Sequence, residues 1–207
     1  MSRSRILILF FHPALHKSQV NRRLIAAAEA VDGVTVRHQY ELYPDYLIDV
    51  KAEQDELAAH DIIILQHPFY WYSAPSLVKE WLDLVLEIGW AFGEGGTALS
   101  GKHLLQAVTC GGSAEIYCCG GRHLHSVREF LLPFEESARL CGMIYLAPFI
   151  VHGTGNLKSA ADVAPHAEAY AAVLEALRDG RLDLAKAAQL QWLNEDPGAL
   201  ITTPLPP

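Results

Sequence analysis

An α/β domain built on a parallel sheet is predicted for this chain of 207 residues, and three observations carry the prediction. Short apolar runs alternate with amphipathic helical stretches from residue 5 to residue 180, a rhythm that sets strands side by side with helices across them. The runs at 5–11 and 62–66 are almost continuously apolar, as strands buried on both faces must be. Five such runs in about 180 residues match an open, doubly wound sheet in the order 2-1-3-4-5 with helices on both faces, and are too few for an eight-stranded barrel.

The elements follow in order. Residues 5–11 make the first, central strand, and a polar turn at 12–19 leads into a helix with Leu24, Ile25 and Ala28 on one face and Asp32-Gly33 as its stop. Residues 34–38 alternate as a second strand, 49–59 form a short charged helix, and 62–66 form the third strand. The helix at 76–88 starts after Pro75. Its Leu77, Val78, Trp81, Leu82, Val85 and Leu86 spread over more than one stripe, so a second face should be covered, most simply by a two-fold homodimer and otherwise by the neighbouring loop. Residues 103–109 are the fourth strand, 124–140 a helix, and 143–151 a fifth strand made irregular by Pro148. A last helix at 162–179 turns Val163, Tyr170, Val173, Leu174 and Leu177 to the sheet and ends at Gly180. Residues 1–180 thus form one domain. Residues 181–207 read as an appendage with a turn around 182–193, then Asp196-Pro197-Gly198 and a proline-rich end at 204–207.

Composition narrows the function. The chain is 51% hydrophobic and 19% charged, a balance that argues against disorder. A formal charge of -8 without any Lys/Arg-dense run gives nucleic acid no electrostatic footing. The apolar start is too short for a signal peptide, and the best apolar window, 77–88, holds Lys79, Glu80, Asp83 and Glu87, so no membrane span is expected. Cys110, Cys118, Cys119 and Cys141 include no paired C-x-x-C element, which points to reduced thiols in the cytoplasm and no metal site.

In such a sheet ligands bind at the carboxyl ends of the strands, which directs attention to three loops. The first, 12–21, opens a helix whose free N–H groups favour a phosphate, with His12 and Lys17 offering charge, Ser18 a cap and Asn21 a tie to the next loop. It lacks the G-x-G-x-x-G of a dinucleotide fold. The second, with Pro68, Phe69, Tyr70, Trp71 and Tyr72, puts four aromatics where a polar turn is usual; Phe69, Trp71 and Tyr72 can frame a flat heterocycle, or equally plug the sheet end. The third, Thr109, Cys110, Gly111 and Gly112, lets backbone approach a ligand closely, and Tyr117 and His123 bring a phenol and an imidazole to the same mouth. A phosphate end, an aromatic wall and a reader of polar ring edges together describe a flavin mononucleotide.

Those residues resemble the flavodoxin-like NAD(P)H:quinone oxidoreductase family, closest to the ancillary oxidoreductases of glutathione-regulated potassium-efflux systems. His12-Pro13, Ser18 and Asn21 are similar to its flavin-phosphate loop, residues 66–73 with Pro75, Leu77, Lys79 and Trp81 to its ring-contacting segment, and residues 89–96 to the loop that follows. Residues 43–49 with Glu53-Gln54 resemble the branch's own signature. Thr109-Cys110-Gly111-Gly112 resembles a Thr-Thr-Gly-Gly flavin loop; Cys110 departs from it, leaving the backbone N–H for the flavin edge without the hydroxyl. The resemblance implies FMN, with FAD the alternative, NAD(P)H as co-substrate, and ping-pong transfer of a hydride through flavin N5 to a quinone-like acceptor. It also implies that Tyr117 and His123 assist the transfer and that the site lies at a homodimer interface. A rival role is a regulatory flavoprotein docked on a potassium-efflux transporter at the inner face of the membrane. A metal-dependent hydrolase built from Cys118, Cys119, His123 and His125 has irregular ligand spacing and no carboxylate cluster.

Overall fold

The computed structural model describes residues 3–196 and 200–201; the Pro-rich end at 204–207 and most of the Asp196-Pro197-Gly198 turn lie outside them. β1 (Ile6–Phe10) is flanked by β2 (Val34–His38) and β3 (Ile62–Pro68), and β3 by β4 (His103–Thr109). β4 pairs with both β5 (Ile144–Tyr145) and β6 (Phe149–Val151). Every pairing is parallel and the order is β2-β1-β3-β4-β5, the flavodoxin-like order.

The continuous apolar strands do what their pattern requires. Ile6, Ile8 and Phe10 point to one layer, and Leu7 and Leu9 to the other, with Phe11 beyond the strand. The first layer holds α1 (Gln19–Glu29) and α7 (Ala160–Arg178); the second holds α3 (Val50–Ala59), α4 (Ser76–Val85) and α6 (Leu132–Leu140). A four-residue helix, α2 (Gln39–Leu42), follows β2 directly.

Three elements differ from expectation by more than two residues or by a break. The helix foreseen at 124–140 is two, α5 (Val127–Phe130) and α6, broken at Leu131. Ser126 and Glu129 form a reciprocal capping box that fixes the start of α5 at Val127. Pro133, without an N–H, suits only the first turn of a helix, so α6 begins afresh there. The fifth strand splits into β5 and β6 around Pro148. The helix at 76–88 ends at Val85, and Leu84 and Ile88 are exposed.

Residues beyond the last long helix pack on the domain itself. Leu182, Ala187, Leu193 and Leu200 are buried in the layer of α1 and α7, and a short helix, α8 (Leu184–Ala187), lies among them. The tail also covers the sheet's outer edge. The Asn194 side chain accepts from Ile150 N–H and donates to Ile150 C=O, both at 2.8 Å, so one amide side chain stands in for a neighbouring strand.

Candidate functional site

The carboxyl ends of β1, β3, β4 and β6 face one rim, and their loops enclose a cleft of about 370 Å³ lined by residues of all three loops singled out above, among them His12, Ser18, Asn21, Pro68, Phe69, Tyr70, Thr109 and Gly111. Two smaller hollows continue it. One, about 240 Å³, shares Ser18, Asn21 and Thr109 and adds Lys158; the other, about 290 Å³, shares Phe69 and adds Trp71, Tyr72, Tyr117, Arg122 and His123. The whole is an elongated groove with two lysines at one end and aromatic groups beside Arg122 at the other.

At the first end Ser18 caps α1, its Oγ accepting from Asn21 N–H at 3.1 Å. The Asn21 amide donates to Ser18 Oγ (3.1 Å) and to Thr109 Oγ1 (2.8 Å), tying the first loop to the end of β4. Its Oδ1 is buried without a partner. Such an orphan suits a ligand bearing hydroxyls, and the first turn of α1 beside Lys17 and Lys158 suits a phosphate. A ribityl phosphate has both groups, so these residues fit FMN. His12 does not supply positive charge there: burial lowers its pKa below the ordinary histidine value, and Nδ1 accepts from Ala14 N–H at 3.1 Å. It offers a neutral Nε2–H instead.

The second loop is held from below and bent above. His67 is fully buried and stacks on Phe134. Its Nδ1 lies 3.0 Å from Pro68 C=O, a pure acceptor, so Nδ1 carries the proton. Nε2 then accepts from the Gln106 amide at 3.0 Å, leaving Gln106 Oε1 to accept from Tyr145 OH at 2.6 Å. Burial pushes the His67 pKa down to about 4, keeping this chain neutral. Above it, Tyr70 and Ser73 exchange backbone hydrogen bonds across a two-residue turn. Trp71 (φ 50°) and Tyr72 (φ 63°) both lie in the left-handed region, as in a type I′ turn normally made by Asn-Gly. Trp71 stands 92% exposed and lines only the outer hollow, so the flat face of the central cleft is left to Phe69 and Tyr70.

In the third loop Gly111 faces open space, while a Cβ on Gly112 would come within 2.7 Å of the Tyr117 ring. Cys110 N–H donates to Val151 C=O at 2.8 Å and so is not available to a ligand's edge, contrary to expectation, because β6 extends the pairing to that point. The buried Cys110 thiol instead meets the Tyr117 hydroxyl. Burial, followed by the neighbouring Cys110, pushes the Tyr117 pKa up to about 12, so the phenol is a proton-bearing donor. Tyr117 and His123 stack at 4.4 Å with 17° between planes, and Phe69 meets the Tyr117 ring edge-on at 5.6 Å.

Four contributors were not foreseen. Thr154 and Lys158 come from the segment after β6, Phe130 from α5 against Phe69 and Tyr72, and Arg122 from the loop beside His123. The rule that ligands sit at strand carboxyl ends reaches the first two once the fifth strand's loop is included; Phe130 arrives by packing between distant segments, while Arg122 is the sequence neighbour of His123.

Known proteins show the same frame. The model of the family described as having a flavodoxin-like fold matches residues 4–174. General stress protein 14 of Bacillus subtilis is 43% identical over 171 residues, 83% of this chain and 97% of that protein. The general stress protein 14 of Treponema denticola, solved in complex with FMN, is 39% identical with a TM-score of 0.79, covering 84% of this chain and 99% of that one. The NADPH-quinone reductase of P. pentosaceus is 32% identical with a TM-score of 0.73, covering 82% and 96%.

Proposed function

Because this chain belongs to the flavodoxin-like fold family, we propose that it is an FMN-dependent NAD(P)H:quinone oxidoreductase. The observation that carries the reading is the single groove: a cap, an orphaned amide and two lysines at one end, a proton-bearing phenol stacked on an imidazole at the other. FMN, when bound, supplies a reversible two-electron carrier. The chain's own residues do the rest. Ser18, Asn21, Lys17 and Lys158 hold the phosphate and ribityl chain; Pro68, Phe69, Tyr70, Gly111 and Gly112 shape the ring site. The outer hollow admits NAD(P)H and then a quinone in turn, a ping-pong order. Tyr117 O–H and the His123 imidazole donate to the acceptor's oxygen as negative charge arrives, with Arg122 adding positive charge beside them.

Tyr117→Phe is expected to lower kcat for quinone reduction about tenfold, the scale of one lost hydrogen bond to developing charge of about 1.4 kcal/mol. FMN affinity should stay near wild type. Unchanged kcat in stopped-flow reoxidation would remove Tyr117 from the chemistry.

A homodimer belongs to the proposal, since Leu84 and Ile88 leave exposed apolar surface on and after α4. Docking on a potassium-efflux transporter draws on the likeness of residues 43–54 alone, where Tyr43 and Glu53 bond to each other, and no observation favours it over catalysis. The deciding experiment is to purify the chain without added cofactor, identify any released chromophore by mass, and follow its bleaching by NADH or NADPH before a quinone is supplied. A colourless preparation that FMN cannot reconstitute defeats the proposal.

A further inference from the structure

Residues 117–123 contain a pair of adjacent thiols that the reductase reading does not use. Cys118 and Cys119 are both exposed, whereas Cys110 and Cys141 are buried and burial pushes both of those thiols up. The loop that carries the exposed pair is tightly closed. His123 N–H donates to Ile116 C=O at 3.0 Å, Gly121 N–H donates to Cys118 C=O at 2.9 Å, and a Cβ on Gly121 would lie 2.4 Å from Glu115 C=O. Its two ends are the stacked rings of Tyr117 and His123. The two sulfurs themselves do not line the outer hollow, but the loop that carries them is anchored at both ends by residues that do.

Geometry selects what binds. Adjacent Cα atoms are about 3.8 Å apart, shorter than the about 4.4–6.8 Å that an unstrained disulfide spans, so direct closure of the pair is disfavoured. An atom inserted between the sulfurs relieves that constraint. Among the described residues no group of three or more His, Cys, Asp or Glu side chains is placed to hold a metal ion, so an ion needing three or four protein ligands is not served. A trivalent arsenic centre already carrying one organic group needs two sulfurs and no more.

We propose that Cys118 and Cys119 form a two-thiol capture site for trivalent organoarsenicals, and that its occupation closes the outer hollow by displacing the Tyr117–His123 pair. The reaction is an exchange without redox change. Two As–S bonds form, two As–O bonds to hydroxide break, and the two thiol protons leave with the hydroxides as two molecules of water. The Cys118 thiol gives up its 3.1 Å hydrogen bond to Glu115 C=O in the process.

The test uses the full-length holoprotein, phenylarsine oxide and intact-mass spectrometry, alongside Cys118→Ser, Cys119→Ser and the double variant. The expected result is one arsenical per chain with two thiols lost, resistant to a monothiol wash and released by a dithiol. Each single variant should lose the wash-resistant adduct. No adduct, or an equal adduct on the double variant, overturns the site. For the second half, quinone turnover should fall more than tenfold in the wild type and return with the dithiol, while the double variant is unaffected; an adduct that leaves turnover unchanged overturns the coupling. Turnover rests on the reductase reading, but mass does not, so a protein without reductase activity that still binds one arsenical refutes that reading and sustains the site.

Discussion

Replacing Glu53 by alanine lowers the unfolding free energy by about 3–5 kcal/mol, the loss expected when one partner of a buried charged network is removed. Glu53 is completely buried. Its Oε1 accepts from Arg37 (Nη2 at 2.5 Å, Nε at 3.1 Å) and from Tyr43 OH at 2.8 Å, and its Oε2 from Gln39 Nε2 at 3.1 Å and Trp81 Nε1 at 2.9 Å. Five donors from β2, α2, the segment after it and α4 thus meet one carboxylate on α3. Alanine leaves the guanidinium, the phenol and the indole facing a void, each short of an acceptor. Glu53→Gln keeps the volume but turns an N–H₂ toward donors, so it should fall between wild type and Glu53→Ala. Urea unfolding midpoints measure both; a change under about 1 kcal/mol for Glu53→Ala would show that the network contributes little net stability.

Acid is the second large lever. Above the ordinary histidine pKa of about 6.5, His67 is neutral in both folded and unfolded chains and adds no pH dependence to stability. Below that value the unfolded chain takes up a proton that the folded chain refuses until about pH 4. Stability therefore drops as pH falls through this window, by about 3 kcal/mol in all, since a proton refused over one pH unit costs about 1.4 kcal/mol. His12, His103, His152 and His166 are lowered too, each chiefly by burial, and pull in the same direction. His67→Asn keeps a donor for Pro68 C=O without a titrating ring. It should be less stable at pH 7 yet flatter between pH 6.5 and 4.5, as read from urea midpoints; an unchanged slope would assign the acid sensitivity to other groups.

Much of the frame could be read from residues in order, because it rests on local signals. Residues 34–38 and 103–109 are strands with the foreseen ends, since the first alternates directly after Asp32-Gly33 and the second is an apolar run between Gly101 and Gly111-Gly112. The breaks that went unseen are backbone events: a capping box at Ser126 starts the helix after Leu124 and His125, and Pro133 interrupts a pattern that otherwise continues. β3 runs two residues further than foreseen, to Pro68 opposite Thr109, because a proline is tolerated where a strand ends.

The rim was legible for the same reason: buried strands aim their loops at one edge. What each side chain does there was not. His12 reads as a cation until burial is known, and the Cys110 N–H reads as free until β6 is seen to take it. Glu53 reads only as a member of a short charged helix and of a segment with a family likeness, and the fold alone shows five donors converging on it.

The clasp between Asn194 and Ile150 has a consequence for the order of events at the ribosome. β6 is made about forty residues before Asn194. At about 5–20 residues per second, the newborn sheet carries a bare flank for about 2 to 8 seconds, and through that interval its safety from neighbouring nascent chains rests on shielding from outside the molecule.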